Sequence, residues 1–247
     1  KQPWSNGRVG MMGGSYLGWT QVYPAALNPP SLKAIIPAVT PPDPDRNFPV
    51  QFGAYLPATL SWLAAISGRT MQDISQHDLR TAYSHLPLYE ADRLLGRTIP
   101  AWRDWFDHST RDAFWEKQTY QDALQSSTIP MFHISGWYDD VLVGTTENFT
   151  RLGAKPNQFL LIGPWGHRIN QGRKLGPIDF GPKAVINLDS LNQRWFDRWL
   201  KELPNGAERD PKVRVFVMGK NVWRDEQEWP LARTRYLKFY LKSRGNA

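Results

Sequence analysis

The run Gly13-Gly14-Ser15-Tyr16-Leu17-Gly18 follows an apolar segment, Val9–Met12, and precedes residues whose pattern predicts a helix over Tyr16–Leu27. A serine set between glycines, where a strand turns sharply into a helix, has its hydroxyl lifted out of the sheet. Such a turn is strained and needs small neighbours. The implication is a nucleophilic Ser15 at the end of a buried strand. A neutral hydroxyl is a poor nucleophile, so it needs a base, and the base needs an acid to orient it.

The surrounding pattern predicts an α/β fold. Arg8–Met12 and Leu32–Val39 are nearly continuous apolar runs, as expected of parallel strands buried on both faces. With the helix between them they make a βαβ unit, and Pro24 is expected to end or kink that helix. After the breaker Pro41-Pro42-Asp43-Pro44-Asp45 come helical patterns without strands: Ala58–Ile66, Met71–Tyr83, Ile99–Phe106 and Ala113–Ala123. Strands return at Pro130–Ser135 and Gln158–Ile162, separated by a helix over Gly144–Leu152. Gly172–Gly181 reads as a Gly-rich loop. A helix over Leu188–Leu203 carries Leu188, Leu191, Trp195 and Trp199 on one stripe, which suits docking on a sheet. Val213–Met218 and Tyr236–Lys242 alternate like antiparallel strands, with Trp223 and Trp229 in the connection.

The expected organisation is a doubly wound, mostly parallel core over 1–40 and 129–208, an inserted helical cap over 41–128, and the beginning of a β-sandwich over 209–247. A doubly wound sheet normally places several strands before this point. The sequence therefore reads as incomplete at both ends.

Five histidines are available as the base. His77, His85 and His108 fall in the expected cap, and His133 lies inside an apolar strand, where a core role is favoured. His167 follows Gly163-Pro164-Trp165-Gly166 at the C-terminal end of a strand, where sites form in open α/β sheets. The acid candidates are Asp139 and Asp140, in Gly136-Trp137-Tyr138-Asp139-Asp140 at another strand end. Ser15, Asp139 and His167 then stand in the chain order of an α/β-hydrolase. The backbone N–H of Tyr16, the residue after the nucleophile, is one oxyanion donor. Tyr16 and Trp137 flank these residues and could line an acyl pocket, with Trp62 and Trp102 contributed by the cap. Asp43 and Asp45 could hold a substrate ammonium group, although a solvated Pro-rich loop is the favoured reading.

Composition narrows the class. The chain has 247 residues and a net charge of +7, but its Lys and Arg are scattered, and no nucleic-acid motif is present. No apolar run approaches the roughly 18 residues of a membrane span. There are no cysteines, which excludes thiolate chemistry and leaves the compartment open. Twelve tryptophans suit an aromatic cavity or, the favoured reading, broad core packing. The sequon Asn148-Phe149-Thr150 falls in an expected helix.

The three motifs together resemble the X-Pro dipeptidyl-peptidase (S15) family, with its cocaine esterase, α-amino-acid ester hydrolase and glutaryl acylase relatives (the CocE/NonD group). The resemblance continues through Arg194-Trp195-Phe196-Asp197-Arg198-Trp199-Leu200 and Val215-Phe216-Val217-Met218-Gly219. It shares the elbow in which Leu17 takes the final glycine position and Gly18 follows. It implies an α/β-hydrolase domain, a helical cap and a C-terminal jelly roll, with nucleophile Ser15, acid Asp139 and base His167. It also implies a second oxyanion donor, a tyrosine hydroxyl upstream of the nucleophile, outside this sequence. The expected chemistry is acyl transfer to water through an acyl-enzyme, needing no metal or organic cofactor. The substrate is a small ester, amide or short peptide. Esterase or acylase activity is favoured over X-Pro dipeptidyl-peptidase activity, and a non-catalytic binding protein on the same scaffold is the alternative of another class. No nucleic-acid or membrane partner is expected, and a homo-oligomer stays open.

Overall fold

The computed structural model describes residues 2–51 and 53–242. In chain order, β1 (Val9–Gly14), α1 (Tyr16–Ala26) and β2 (Leu32–Ala38) form the first βαβ arm. The cap follows with β3 (Val50–Gln51), β4 (Ala54–Tyr55), α2 (Ala58–Ile66), α3 (Leu79–Ser84), α4 (Pro100–Asp107), α5 (Ala113–Glu116) and α6 (Gln121–Leu124). The core resumes with β5 (Met131–Gly136), α7 (Leu142–Leu152) and β6 (Gln158–Gly163). A small hairpin, β7 (Lys174–Leu175) and β8 (Ile178–Asp179), leads to α8 (Leu188–Leu200), β9 (Val213–Val217) and β10 (Val222–Glu226).

The main sheet has the order β1-β2-β5-β6-β9-β10. Its first five strands are parallel neighbours, and only β10 runs antiparallel to β9. Alternation along β2 shows how both faces are filled. Ile35 packs with Trp19, Val22 and Met131 on one side, whereas Ala34, Ile36 and Ala38 pack with Phe159, Leu161 and Trp195 on the other. Helix α8 thus covers the face opposite α1, as a mostly parallel sheet requires. This is a mostly parallel α/β-hydrolase sheet, and the antiparallel β9–β10 pair is consistent with the start of a β-sandwich.

Several elements depart from the pattern reading. Pro24 does not stop α1, which runs on to Ala26. Residues 71–78 are not helical: Asp73 accepts the Ser75 N–H at 2.9 Å, and Asp78 accepts the Thr81 N–H at 3.1 Å. Such side-chain acceptors favour turns and delay the helix to Leu79. The expected helix over Ala113–Ala123 is split into α5 and α6. The cap contains a two-stranded ladder, β3–β4, where no strand is expected, and Leu88–Leu95 form a 3₁₀ helix. The Gly172–Gly181 loop contains the β7–β8 hairpin. Val222–Glu226, expected as connection, is the strand that pairs with β9. Tyr236–Lys242 form no strand, and Tyr236 and Leu237 are exposed. Alternation supplies no partner strand, and an extended segment is held only by one.

The splitting of α5 and α6 has a definite cause. The buried Asp43 carboxylate accepts the N–H groups of Tyr120 and Gln121, at 2.8 and 3.0 Å, and so starts α6 afresh. Gln121 then donates to Asn148 at 2.9 Å, and Asn148 donates to the Tyr120 hydroxyl, which donates to Pro41. This network joins both ends of the cap to α7. Asn148 is fully buried, so the sequon presents no accessible amide. Asp43→Ala leaves two buried N–H groups without acceptors and is expected to lower stability by about 2–4 kcal/mol. A urea unfolding midpoint equal to that of the parent would contradict this.

Candidate active site

Ser15 occupies the turn between β1 and α1 with φ 61° and ψ −123°. Its N–H donates to the Ala38 carbonyl at 3.0 Å, so the β1–β2 ladder runs into the turn. The carbonyl of Ser15 accepts from Gly18 at 2.7 Å, which closes the first turn of α1. A Cβ on Gly18 would collide with the Thr40 side chain, so glycine lets the helix start settle against the end of β2. The Tyr16 N–H opens the helix, where N–H groups lack intrahelical acceptors.

Asp139 and His167 arise from the ends of β5 and β6. Gly136 pairs with Gly163 in the parallel ladder, and the Tyr138 N–H donates to the Trp165 carbonyl at 2.9 Å. A side chain on Gly136 would strike that carbonyl, so the two loops cross only because Gly136 has none. The Asp139 side chain is fully buried. Its Oδ1 accepts from His167 Nδ1 at 2.8 Å, and its Oδ2 accepts the Ser135 hydroxyl at 2.8 Å. The carboxylate thereby places the imidazole proton on Nδ1 and leaves Nε2 free to accept one.

His167 is raised above the ordinary histidine value, first through its hydrogen bond to Asp139, against which partial burial acts; the Asp139 and Asp140 charges add to the rise. Asp140 lies beside it, with Oδ1 3.5 Å from Nδ1. Partial burial, and then the Asp139 charge, push the Asp140 carboxyl up. The Ser15 hydroxyl and the His167 imidazole line one cavity of about 240 Å³ and make no hydrogen bond to each other. Asp139, Asp140 and His167 also place three donor atoms within 4.8 Å of one another. The Asp139 oxygens already accept from an imidazole N–H and a hydroxyl, so this set is organised around protons.

The structure treats the expected substrate contacts unequally. Tyr16 and Trp62 line the Ser15 cavity, with ring centroids 6.0 Å apart. Trp137 does not. Its indole donates to the Phe216 carbonyl at 2.7 Å, and it packs against Trp229 in the core. Trp102 is fully buried within the cap, its indole donating to Leu88. Asp43 is engaged by the α6 start, and Asp45 pairs with Arg111 at 3.3 Å, so neither lines the cavity. His133 is a core residue beside Gln158, and burial holds it down to about 4. Sequence reasoning missed Trp19 and Phe48, which line the cavity, and Ser135, which holds the acid. The buried apolar strand containing Ser135 was the only signal for the last.

The sequence matches the profile of the X-Pro dipeptidyl-peptidase (S15 family) over residues 1–168. The chain belongs to this S15 family of serine hydrolases. Residues 205–247 match the X-Pro dipeptidyl-peptidase C-terminal non-catalytic domain. The cocaine esterase of Rhodococcus sp. (strain MB1 Bresler) is 34% identical over all of this S15 chain and 46% of its own length. The chain therefore spans about half the length of this curated relative. The same fold is found in an aminopeptidase from a marine sediment archaeon, Thaumarchaeota archaeon. That structure has a TM-score of 0.78 and 24% identity, over 92% of this chain and 40% of that one. An α-amino acid ester hydrolase is similar at a TM-score of 0.76 and 24% identity, over 92% and 39%.

Ser135→Ala removes a donor from a fully buried carboxylate oxygen and is expected to cost about 1–3 kcal/mol. Chemical denaturation measures it, and an unchanged midpoint would show that Asp139 is held otherwise.

Proposed function

We propose that this protein is a serine esterase or acylase that cleaves small acyl esters through an acyl-enzyme. Ser15 Oγ attacks the acyl carbonyl while Nε2 of His167 takes its proton. Asp139 keeps the imidazole in the required tautomer and stabilises the imidazolium. The Tyr16 N–H donates to the oxyanion as the tetrahedral intermediate forms. The intermediate collapses with loss of the alcohol, which receives the proton from His167. Water then attacks the acyl carbon, again with His167 as base, and the acid leaves as Ser15 is regenerated.

The observation that carries this reading is the shared cavity: Ser15 and His167 line it together with Tyr16, Trp19, Phe48 and Trp62. Aromatic walls suit a neutral, apolar acyl group. The similarity to a cocaine esterase supports an ester substrate. Asp43 and Asp45, the expected anchors for a substrate ammonium group, are both engaged elsewhere, and the carboxylate that does line the cavity, Asp140, stands beside His167.

A fluorophosphonate probe is expected to label the purified protein, and Ser15→Ala to abolish labelling. No labelling of the folded parent would favour a binding protein on a hydrolase scaffold. Trp62→Ala is expected to raise KM for an aryl ester by about three- to tenfold, the cost of removing part of an apolar wall. Activity confined to X-Pro-anilides would overturn the esterase assignment.

The pH profile follows from the His167 environment. The base works when neutral, and its hydrogen bond to Asp139 favours the protonated form. The rate of ester cleavage is therefore expected to be low in acid and to rise with a midpoint above about 6.5, the ordinary histidine value. A rate flat from pH 5 to 8 would remove His167 as the base.

A further inference from the structure

The sequence offers Asp139 and Asp140 as alternatives for one role, yet the structure sets both carboxylates against the same imidazole nitrogen. Their surroundings differ. Asp139 has no exposed side-chain surface, and its two oxygens accept from His167 and Ser135. Asp140 has a side chain 61% exposed, with Oδ1 3.5 Å from His167 Nδ1. Its backbone is fixed, because the Asn47 amide donates to its carbonyl at 2.8 Å. The side chain alone is therefore free to adjust. A shift of well under 1 Å would bring its oxygen to hydrogen-bond distance from Nδ1.

We propose that Asp140 is a positioning residue for His167: it stabilises the imidazolium by charge in the parent protein and takes over the Nδ1 hydrogen bond when Asp139 cannot. This rests on the reading of His167 as the base. One N–H donates fully to one acceptor at a time, so Asp139 holds it while Asp140 acts across space. Opposite charge at this range favours the protonated ring, and partial exposure keeps the effect smaller than that of Asp139 and sensitive to salt.

The other groups facing His167 do not duplicate this role. Ser15 and Tyr16 come from the β1–α1 turn, and the cap contributes Phe48 and Trp62, all uncharged there. Arg168, a cation, follows in the same loop and lines a second cavity, of about 400 Å³, which Ser15 and His167 also line. The two aspartates are thus the anionic groups acting on the ring.

The test is NMR titration of isotope-labelled His167 in the purified protein, with the assignment taken from His167→Ala. Asp140→Asn is expected to move the His167 midpoint to lower pH, less far than Asp139→Asn. Asp140→Glu, which keeps the charge, should restore it. The shift in Asp140→Asn should shrink between 0.05 and 1 M salt. An unchanged midpoint in Asp140→Asn would overturn the proposal.

Ester hydrolysis supplies the second arm. Adding Asp140→Asn to the parent should lower the rate about twofold. Adding it to Asp139→Asn should lower the residual rate about tenfold, because coupled groups are not additive. Equal factors on the two backgrounds would refute the substitute role. The titration is read whether or not Ser15 becomes acylated. Failure of Ser15 labelling therefore refutes the hydrolase reading separately.

Discussion

The site depends on one strained backbone position. A serine at φ 61° costs on the order of 1–3 kcal/mol unless its surroundings enforce the conformation. Here the Ser15 N–H completes the β1–β2 ladder, and its carbonyl accepts the first helical bond. Sheet and helix therefore both require the conformation that presents the hydroxyl. The parallel sheet then does the rest. Gly14 pairs with Ala38, and Gly136 with Gly163, so the strands finish along one edge. Loops leaving that edge bring Asp139 and His167 toward Ser15 from distant parts of the chain.

The cap walls are placed by a different kind of constraint, a buried polar network. Asp43, Tyr120, Gln121 and Asn148 satisfy one another, and Trp19 donates to the carbonyls of Pro41 and Pro42. Buried groups of this kind are costly to leave unpaired, so the cap has little freedom at its two junctions. Phe48 stands just beyond the first junction. It contacts Trp19 on one side and Trp62 and Trp105 on the other, with centroids 5.4–5.9 Å apart. An apolar wall beside Ser15 is thus fixed by polar contacts behind it.

This division explains what the amino-acid order disclosed. The elbow, the apolar strands and α8 are local patterns, and a glycine turn or a continuous apolar run is visible without a partner. The aromatic wall beside Ser15 was less legible. Trp137 adjoins Asp139 in sequence, yet its indole turns to Phe216; Trp62 is far away in sequence and reaches the cavity. Proximity along the chain says nothing about which way a ring points. Several other tryptophans stitch elements together: Trp102, Trp115, Trp165 and Trp223 each donate to a carbonyl. The fate of Asp43 was equally hidden, because the N–H groups that donate to its carboxylate lie 77 and 78 residues away. Tyr236–Lys242 failed for the converse reason, since a strand-like pattern does not create a strand to pair with.

Asp139 and His167 sit in opposite environments, 2.8 Å apart. A carboxylate that orients a ring must not rotate. Asp139 is accordingly buried, with Ser135 donating to the oxygen that His167 does not use. In its proposed role as base, His167 would meet a substrate and change charge. His167 lines the cavity and keeps 43% of its side chain exposed. Full burial would favour the neutral ring, as it does for His133, which is pushed down to about 4 in the core. At the cavity that penalty is smaller than the favourable hydrogen bond to Asp139, and His167 moves up instead. The same residue type thus becomes inert in the middle of β5 and basic at the end of β6. Depth in one sheet, together with a carboxylate anchored below the ring, accounts for the difference.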